Sequence, residues 1–215
     1  MIKVYFADIS NLPDPIENPE ILKGLTEDRK EKAMRYKQLK DRKQCVGAGL
    51  LLKQCLLDQN IYNTSIHIGD NGKPEIEGIC FNLSHSHDMI ACVIANRSVG
   101  CDIEKIGKPR DKIADHFFTE REISYLSQFE GEKKTEQFYR LWTMKESYMK
   151  MTGEGMRLAL DRFEVLIDDE IAIIRDGQKV SCHVKEYEIP EYKFTVCSEE
   201  DEFADKVEWV KLILN

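Results

Sequence analysis

What this chain lacks bounds it first. No apolar run reaches the roughly 18 residues that cross a bilayer, so no membrane span is expected. The opening residues, Met1-Ile2-Lys3-Val4-Tyr5-Phe6-Ala7-Asp8, place no long apolar stretch after their charge, so no signal peptide is expected either. There is no GxxxxGK[ST] or GxGxxG loop, which argues against a magnesium-dependent kinase or nucleotidyl transferase built on those phosphate cradles. A GxSxG elbow is also missing. The seven cysteines form no CxxC pair, and no Cys/His spacing suits zinc. Most sit in apolar runs (Cys45, Cys55, Cys80, Cys92, Cys101) and read as buried, reduced thiols of a cytoplasmic protein. Positive charge is in the minority: 31 Lys and Arg stand against 39 Asp and Glu, a net charge of −8, which argues against a general nucleic-acid binder.

Against that background, one local excess of positive charge is informative. Residues 28–43 carry eight Lys or Arg against three Asp or Glu, whereas residues 176–215 carry five against ten. A cationic helix in an acidic chain suits a specific anion, although Arg29, Lys32, Arg35, Lys40, Arg42 and Lys43 would also suit a solvated helix face.

The 215 residues suffice for one large domain or two small ones. Periodicity predicts a strand at the N-terminus, a proline-rich loop over 11–18, and one long helix from about Glu27 to Asp58. Short strands follow at 65–68 and 79–83, separated by a turn at Asp70-Asn71-Gly72-Lys73-Pro74. Next come strands at 89–95 and from Val99, helices near 111–116, 120–128 and 135–151, and strands at 163–167, 180–187, 193–197 and 207–214. This order reads as α+β with two comparable halves meeting near Gly100, 1–100 and 101–215.

Three segments carry chemistry. In Val99-Gly100-Cys101-Asp102-Ile103-Glu104-Lys105, apolar and acidic residues alternate, so the carboxylates of Asp102 and Glu104 share one face of a strand, roughly 7 Å apart. They either hold a cation or are solvent-facing acids paired with Lys105 and Lys108. Trp142-Thr143-Met144-Lys145-Glu146-Ser147-Tyr148-Met149-Lys150 is an amphipathic helix. Its Glu146 and Lys150, four apart, make either a surface ion pair or a functional pair. Hard oxygen ligands without His or Cys suit Mg²⁺. In Asn82-Leu83-Ser84-His85-Ser86, adjacent Ser84 and His85 face opposite sides of a strand, so they are no hydrolase dyad. Thr119-Glu120-Arg121-Glu122 has the pattern of a capping box.

Taken in order, with Gly72-Lys73-Pro74, Phe117-Phe118-Thr119-Glu120-Arg121-Glu122 and Gly153-Glu154-Gly155, these segments resemble the 4′-phosphopantetheinyl transferases of the larger, surfactin type. The resemblance implies two similar α+β halves related by pseudo-two-fold symmetry, each a small antiparallel sheet packed on a helix, in a monomer with coenzyme A in the cleft between them. It implies Mg²⁺-dependent transfer of phosphopantetheine from coenzyme A to a serine of an apo acyl or peptidyl carrier protein, with release of 3′,5′-ADP. Asp102, Glu104 and Glu146 would ligate Mg²⁺, and Lys150 would stabilise the leaving phosphate, with Lys145 on the same phosphates. Ser84 and His85 would contact coenzyme phosphates, Lys73 and Pro74 the adenine, and Arg29 and Lys32 the 3′-phosphate. Gln44 stands where the family commonly has arginine. Glu122 would be the base for the incoming serine, in competition with its reading as a helix cap. The alternative function is a non-catalytic coenzyme A or carrier-protein binding module.

Overall fold

The computed structural model of the protein describes residues 1–62, 65–69 and 71–212. The chain runs β1 (Lys3–Asp8), α1 (Glu27–Arg35), α2 (Leu39–Asp58), β2 (Ile66–Ile68), β3 (Pro74–Ile76), β4 (Cys80–Ser86) and β5 (Met89–Ala95). It continues through β6 (Val99–Lys105), α3 (Asp111–Phe117), α4 (Glu120–Leu126), α5 (Gly131–Thr152), β7 (Phe163–Ile167), β8 (Ile171–Arg175), β9 (Gln178–Lys179), β10 (His183–Ile189), β11 (Tyr192–Ser198) and β12 (Glu208–Trp209).

The first half builds a sheet in the order β1-β5-β4 and the second in the order β6-β11-β10, with every one of these pairs antiparallel. In each half the opening strand pairs with the last strand of a closing hairpin. In each, a long helix and a small accessory sheet (β2-β3, then β7-β8-β9) lie between them in sequence. The expected pair of α+β halves is therefore present as a duplicated order of elements. β12 returns from the end of the chain to pair in parallel with β1.

Strand alternation explains how the layers stack. Val4 and Phe6 of β1, with Ala91 and Val93 of β5, bury one face against Cys101, Ile103, Phe194 and Val196 of the second sheet. Tyr5, Ala7, Ile90 and Cys92 bury the other face against Val46, Leu51, Leu52 and Cys55 of α2. The far side of the second sheet meets α5 through Cys197, Met144, Tyr148 and Met151. The result is four layers: helix, sheet, sheet, helix.

The single helix expected over 27–58 is two. The chain turns extended at Tyr36 (ψ 132°) and Gln38 (ψ 136°). The buried Arg42 holds this break. Its Nη1 donates to the carbonyls of Tyr36 (3.1 Å) and Lys37 (2.8 Å), and its Nε and Nη2 grip the Asp14 carboxylate at 2.9 and 2.5 Å. β3, β8 and β9 were not expected from the sequence, and the strand placed at 180–187 starts at His183. Of the strand expected at 207–214, Glu208–Trp209 is a strand, while 213 and 214 lie outside the described residues, as does Asp70 of the expected turn. Among the described residues no helix is long and apolar enough to cross a membrane.

Candidate active site between the halves

The site lies where β4, the edge of the first sheet, meets β6, the edge of the second. Three side chains of β4 satisfy the free backbone edge of β6: Cys101 N donates to Asn82 Oδ1 (3.0 Å), Ile103 N to Ser84 Oγ (3.2 Å) and Lys105 N to Ser86 Oγ (3.1 Å). A polar residue at every second position is what this edge requires, because alternate strand residues share a face. The two serine hydroxyls also reach the acids of β6. Ser84 Oγ donates to Asp102 Oδ1 (2.9 Å) and Ser86 Oγ to Glu104 Oε2 (3.0 Å). Asp102 and Glu104 thus share a face, as alternation required, but Asp102 is 4 % exposed and is not a solvent-facing acid.

α5 presents Glu146 and Lys150 to the same place. Lys150 Nζ donates to Asp102 Oδ1 (2.5 Å) and Ser84 Oγ (3.2 Å). Burial works to lower the Lys150 pKa, but Asp102, Cys101 and Glu146 raise it overall, so the ammonium is secure. Burial and the nearby charge of Asp102 push Glu146 up to about 6 and push Glu104 up as well. The other Asp102 oxygen, Oδ2, is buried with no hydrogen-bond partner. Among the described residues no group of three His, Cys, Asp or Glu side chains is drawn close enough to hold a metal ion. The three carboxylates are neighbours in charge, with the ammonium of Lys150 on Asp102.

Gly100 permits this closeness. A Cβ there would collide with the backbone of α5 at Ser147 O and Met151 N, so α5 can lie against β6 only at a glycine. Lys73 ties the accessory hairpin of the first half to the same junction by donating to Lys150 O (2.7 Å) and Val99 O (3.2 Å). Lys73, Pro74, Asn82, Met149, Lys150 and Gly153 help to line a pocket of 220 Å³ that draws on both halves.

Other expected site residues are placed differently. Ser84 is 5 % exposed, and its hydroxyl is used between Asp102, Ile103 and Lys150 rather than offered to a phosphate. His85 points the opposite way and is exposed, with its pKa lowered by partial burial and by Lys150. Arg29 lines a pocket of 180 Å³ with Leu25, Thr26, Gly49 and Lys53, on the side of α2 away from the first sheet, while Lys32 is exposed on α1. Gln44 donates to His87 O (2.9 Å) and Lys43 to Ser10 O (2.7 Å), so with Arg42 held by Asp14 all three are engaged within the fold.

Lys145 does not join the phosphate side. One residue along a helix is a rotation of about 100°, and Lys145 turns into the core at 0 % exposure. Its Nζ donates to both oxygens of Glu122 (2.7 Å each) and to Phe163 O (2.8 Å). Glu122 also accepts from Thr119 N (2.9 Å) in a capping box and from Val165 N (2.7 Å). Its side chain too is fully enclosed. Sequence reasoning missed the structural work of Asn82, Ser86 and Gly100. The Asn-x-Ser-x-Ser alternation was the available signal for the first two.

Residues 98–197, from one residue before β6 to one residue short of the end of β11, match the model of the 4′-phosphopantetheinyl transferase superfamily. The chain is 30 % identical to a 4′-phosphopantetheinyl transferase of Bacillus subtilis over 96 % of each chain. It is 29 % identical to 4′-phosphopantetheinyl transferase Sfp of Bacillus subtilis strain 168 over 97 % of each. With 4′-phosphopantetheinyl transferase gsp of Aneurinibacillus migulanus the identity is 32 %, over 92 % of this chain and 86 % of the relative.

Proposed function

Because this chain belongs to the 4′-phosphopantetheinyl transferase superfamily and is a transferase of that kind, with coenzyme A and a carrier protein as its substrates, we propose how its residues divide the reaction. Asp102, Glu104 and Glu146, which stand too far apart for a shared ion in this structure, would hold Mg²⁺ once the coenzyme pyrophosphate completes the site. The observation that carries this assignment is the unpartnered buried Oδ2 of Asp102 beside two carboxylates whose charged forms are disfavoured. A hard divalent cation satisfies the first and relieves the second. When bound, Mg²⁺ supplies neutralisation of charge on the phosphate oxygens.

The protein's own groups supply position and charge. Lys150, which donates to Asp102, would neutralise the charge that grows on the oxygen leaving with 3′,5′-ADP. His85 is a donor to phosphate from the exposed face of β4. Lys73 and Pro74 form the adenine side of the inter-half pocket. Exposed Lys32, with Arg29 on the same helix, offers positive charge to the 3′-phosphate. The serine comes from the carrier protein, so catalysis is mainly positioning and electrostatics, without a covalent enzyme intermediate. Both walls of the pocket come from one chain, which supports a monomer of two halves; since β6 opens the second half at Val99, they divide just before that strand rather than between 100 and 101. The thiol pattern supports the cytoplasm.

The test is mass spectrometry of an apo carrier protein incubated with coenzyme A and this chain. A mass gain of one phosphopantetheine that needs Mg²⁺ and is lost in Asp102→Asn is expected. Transfer that is indifferent to chelation and to Asp102→Asn would remove the metal assignment.

A further inference from the structure

We infer that Glu122 and Lys145 form a buried positioning pair that sets the rotation of α5, and that Glu122 is not the base that receives the serine proton. The inference rests on the transferase reading above. Lys145 directly precedes Glu146 and lies five residues before Lys150 on the same rigid helix. Its ammonium is donated in full to Glu122 Oε1, Glu122 Oε2 and Phe163 O. The ring of Phe163 lies 4.5 Å from the ammonium and that of Phe118 5.8 Å, which encloses it further. Glu122 spends its remaining acceptor capacity on Thr119 N and Val165 N. One charged knot therefore joins α5 to the start of α4 and to β7.

The knot lies on the flank of α5 that faces α4 and β7, whereas Glu146 and Lys150 face β6. A helix held by fixed bonds on one flank presents the other at a fixed angle. A base must reach the proton it removes, directly or through one water. Both side chains of this pair have no exposed surface, and each carboxylate oxygen already accepts two hydrogen bonds. The arrangement suits a group that holds its neighbours in place and does not suit a proton acceptor open to a partner's serine.

A rescue experiment separates the two roles. Glu122→Gln leaves the Lys145 ammonium buried without a counter-charge. Lys145→Met strands the carboxylate. Breaking such a pair on one side is far worse than replacing both sides, because only the former leaves an uncompensated charge. For positioning, each single variant loses about 10²-fold or more in kcat, in line with the cost of misplacing groups by about 1 Å, with a smaller change in KM for coenzyme A. The double variant Glu122→Gln/Lys145→Met then recovers to within about tenfold of wild type. A base cannot be recovered by removing a lysine. A double variant as slow as Glu122→Gln, with an unchanged melting temperature and coenzyme A affinity, would overturn the inference, as would a Lys145→Met variant of normal kcat. Should Glu122→Gln not fold, the double variant, which carries no buried charge, decides alone: it either turns over or folds and does not. Wild-type transfer in the same assay reports on the transferase reading, and the ratios among variants report on the pair alone.

Discussion

α2 and α5 hold equivalent places in their halves, yet they meet their sheets differently. α2 offers an apolar face, with Val46, Leu51, Leu52 and Cys55 on Tyr5, Ala7, Ile90 and Cys92, and a close approach at Gly47. α5 offers Met144, Tyr148 and Met151 to its sheet, but it also carries Glu146 and Lys150 toward Asp102 and anchors a buried ion pair on its flank. The close approach is reversed too. In the first half the glycine is in the helix and faces side chains. In the second it is Gly100 of the strand and faces helix backbone. One arrangement of elements thus serves as a plain hydrophobic support in one half and as a charged centre in the other.

The strongest way to break this contrast is Asp102→Ala. Transfer should fall by more than about 10²-fold, since several kcal/mol of charge stabilisation depend on the cluster. Because Asp102 is buried and holds Lys150 and Ser84, stability should also fall, by about 1–3 kcal/mol. Single-turnover kinetics and denaturant melts measure the two effects. A normal rate at limiting Mg²⁺ would end the assignment.

The paired glycines come next. Gly100→Ala puts a methyl group into the backbone of α5 and should lower kcat about tenfold or more by moving Glu146 and Lys150 off Asp102. Gly47→Ala meets only Ile9 Cγ2 at 2.6 Å and Ile90 Cδ1 at 2.7 Å, both on side chains, and alanine favours the helix. It should change melting temperature but leave kcat within about twofold, because it moves nothing near the site. Equal kinetic effects in the two variants would show that the halves are not divided in this way.

A pH experiment sharpens the contrast further. The folded-state pKa of Glu146 is raised from 4.5 to about 6, so between those values the folded chain binds more protons than the unfolded one. Stability contributed by this group is therefore full below its unfolded value and declines as pH rises through about 6, by roughly 1–2 kcal/mol. Glu104 acts in the same direction. Mg²⁺ should reverse the decline, so the rise in melting temperature on adding Mg²⁺ should be larger at pH 7 than at pH 5. An equal rise at both would place the ion elsewhere.

The smallest effect is at the exposed basic helix. Lys32→Ala should weaken coenzyme A a few-fold at low salt without changing stability, and should narrow the preference over the 3′-dephospho form. Calorimetry with both coenzymes measures it, and an undiminished preference would move the 3′-phosphate off α1.

Some of this was legible in the sequence and some was not. Asp102 and Glu104 showed their common face through strand alternation alone, and Thr119-Glu120-Arg121-Glu122 announced its cap. The division of the first long helix was hidden, since Tyr36-Lys37-Gln38 contains neither proline nor glycine. The break depends on Arg42 reaching Asp14, 28 residues away. Lys145 and Lys150 look alike as lysines of one amphipathic helix, and only the packing of α4 and β7 decides that one is core and the other site. Ser84 read as a contact to phosphate, and Ser86 went unassigned, because a side chain that bonds the backbone of another sheet leaves no local pattern beyond alternation.

Cation binding tests the central claim most directly. Mn²⁺ should bind wild type in the presence of coenzyme A with one-to-one stoichiometry by calorimetry, and both Asp102→Asn and Glu146→Gln should lose that binding while still melting cooperatively. Retention of the wild-type Mn²⁺ affinity in both variants would contradict the assignment of these carboxylates from the two elements, β6 and α5, to a shared metal centre.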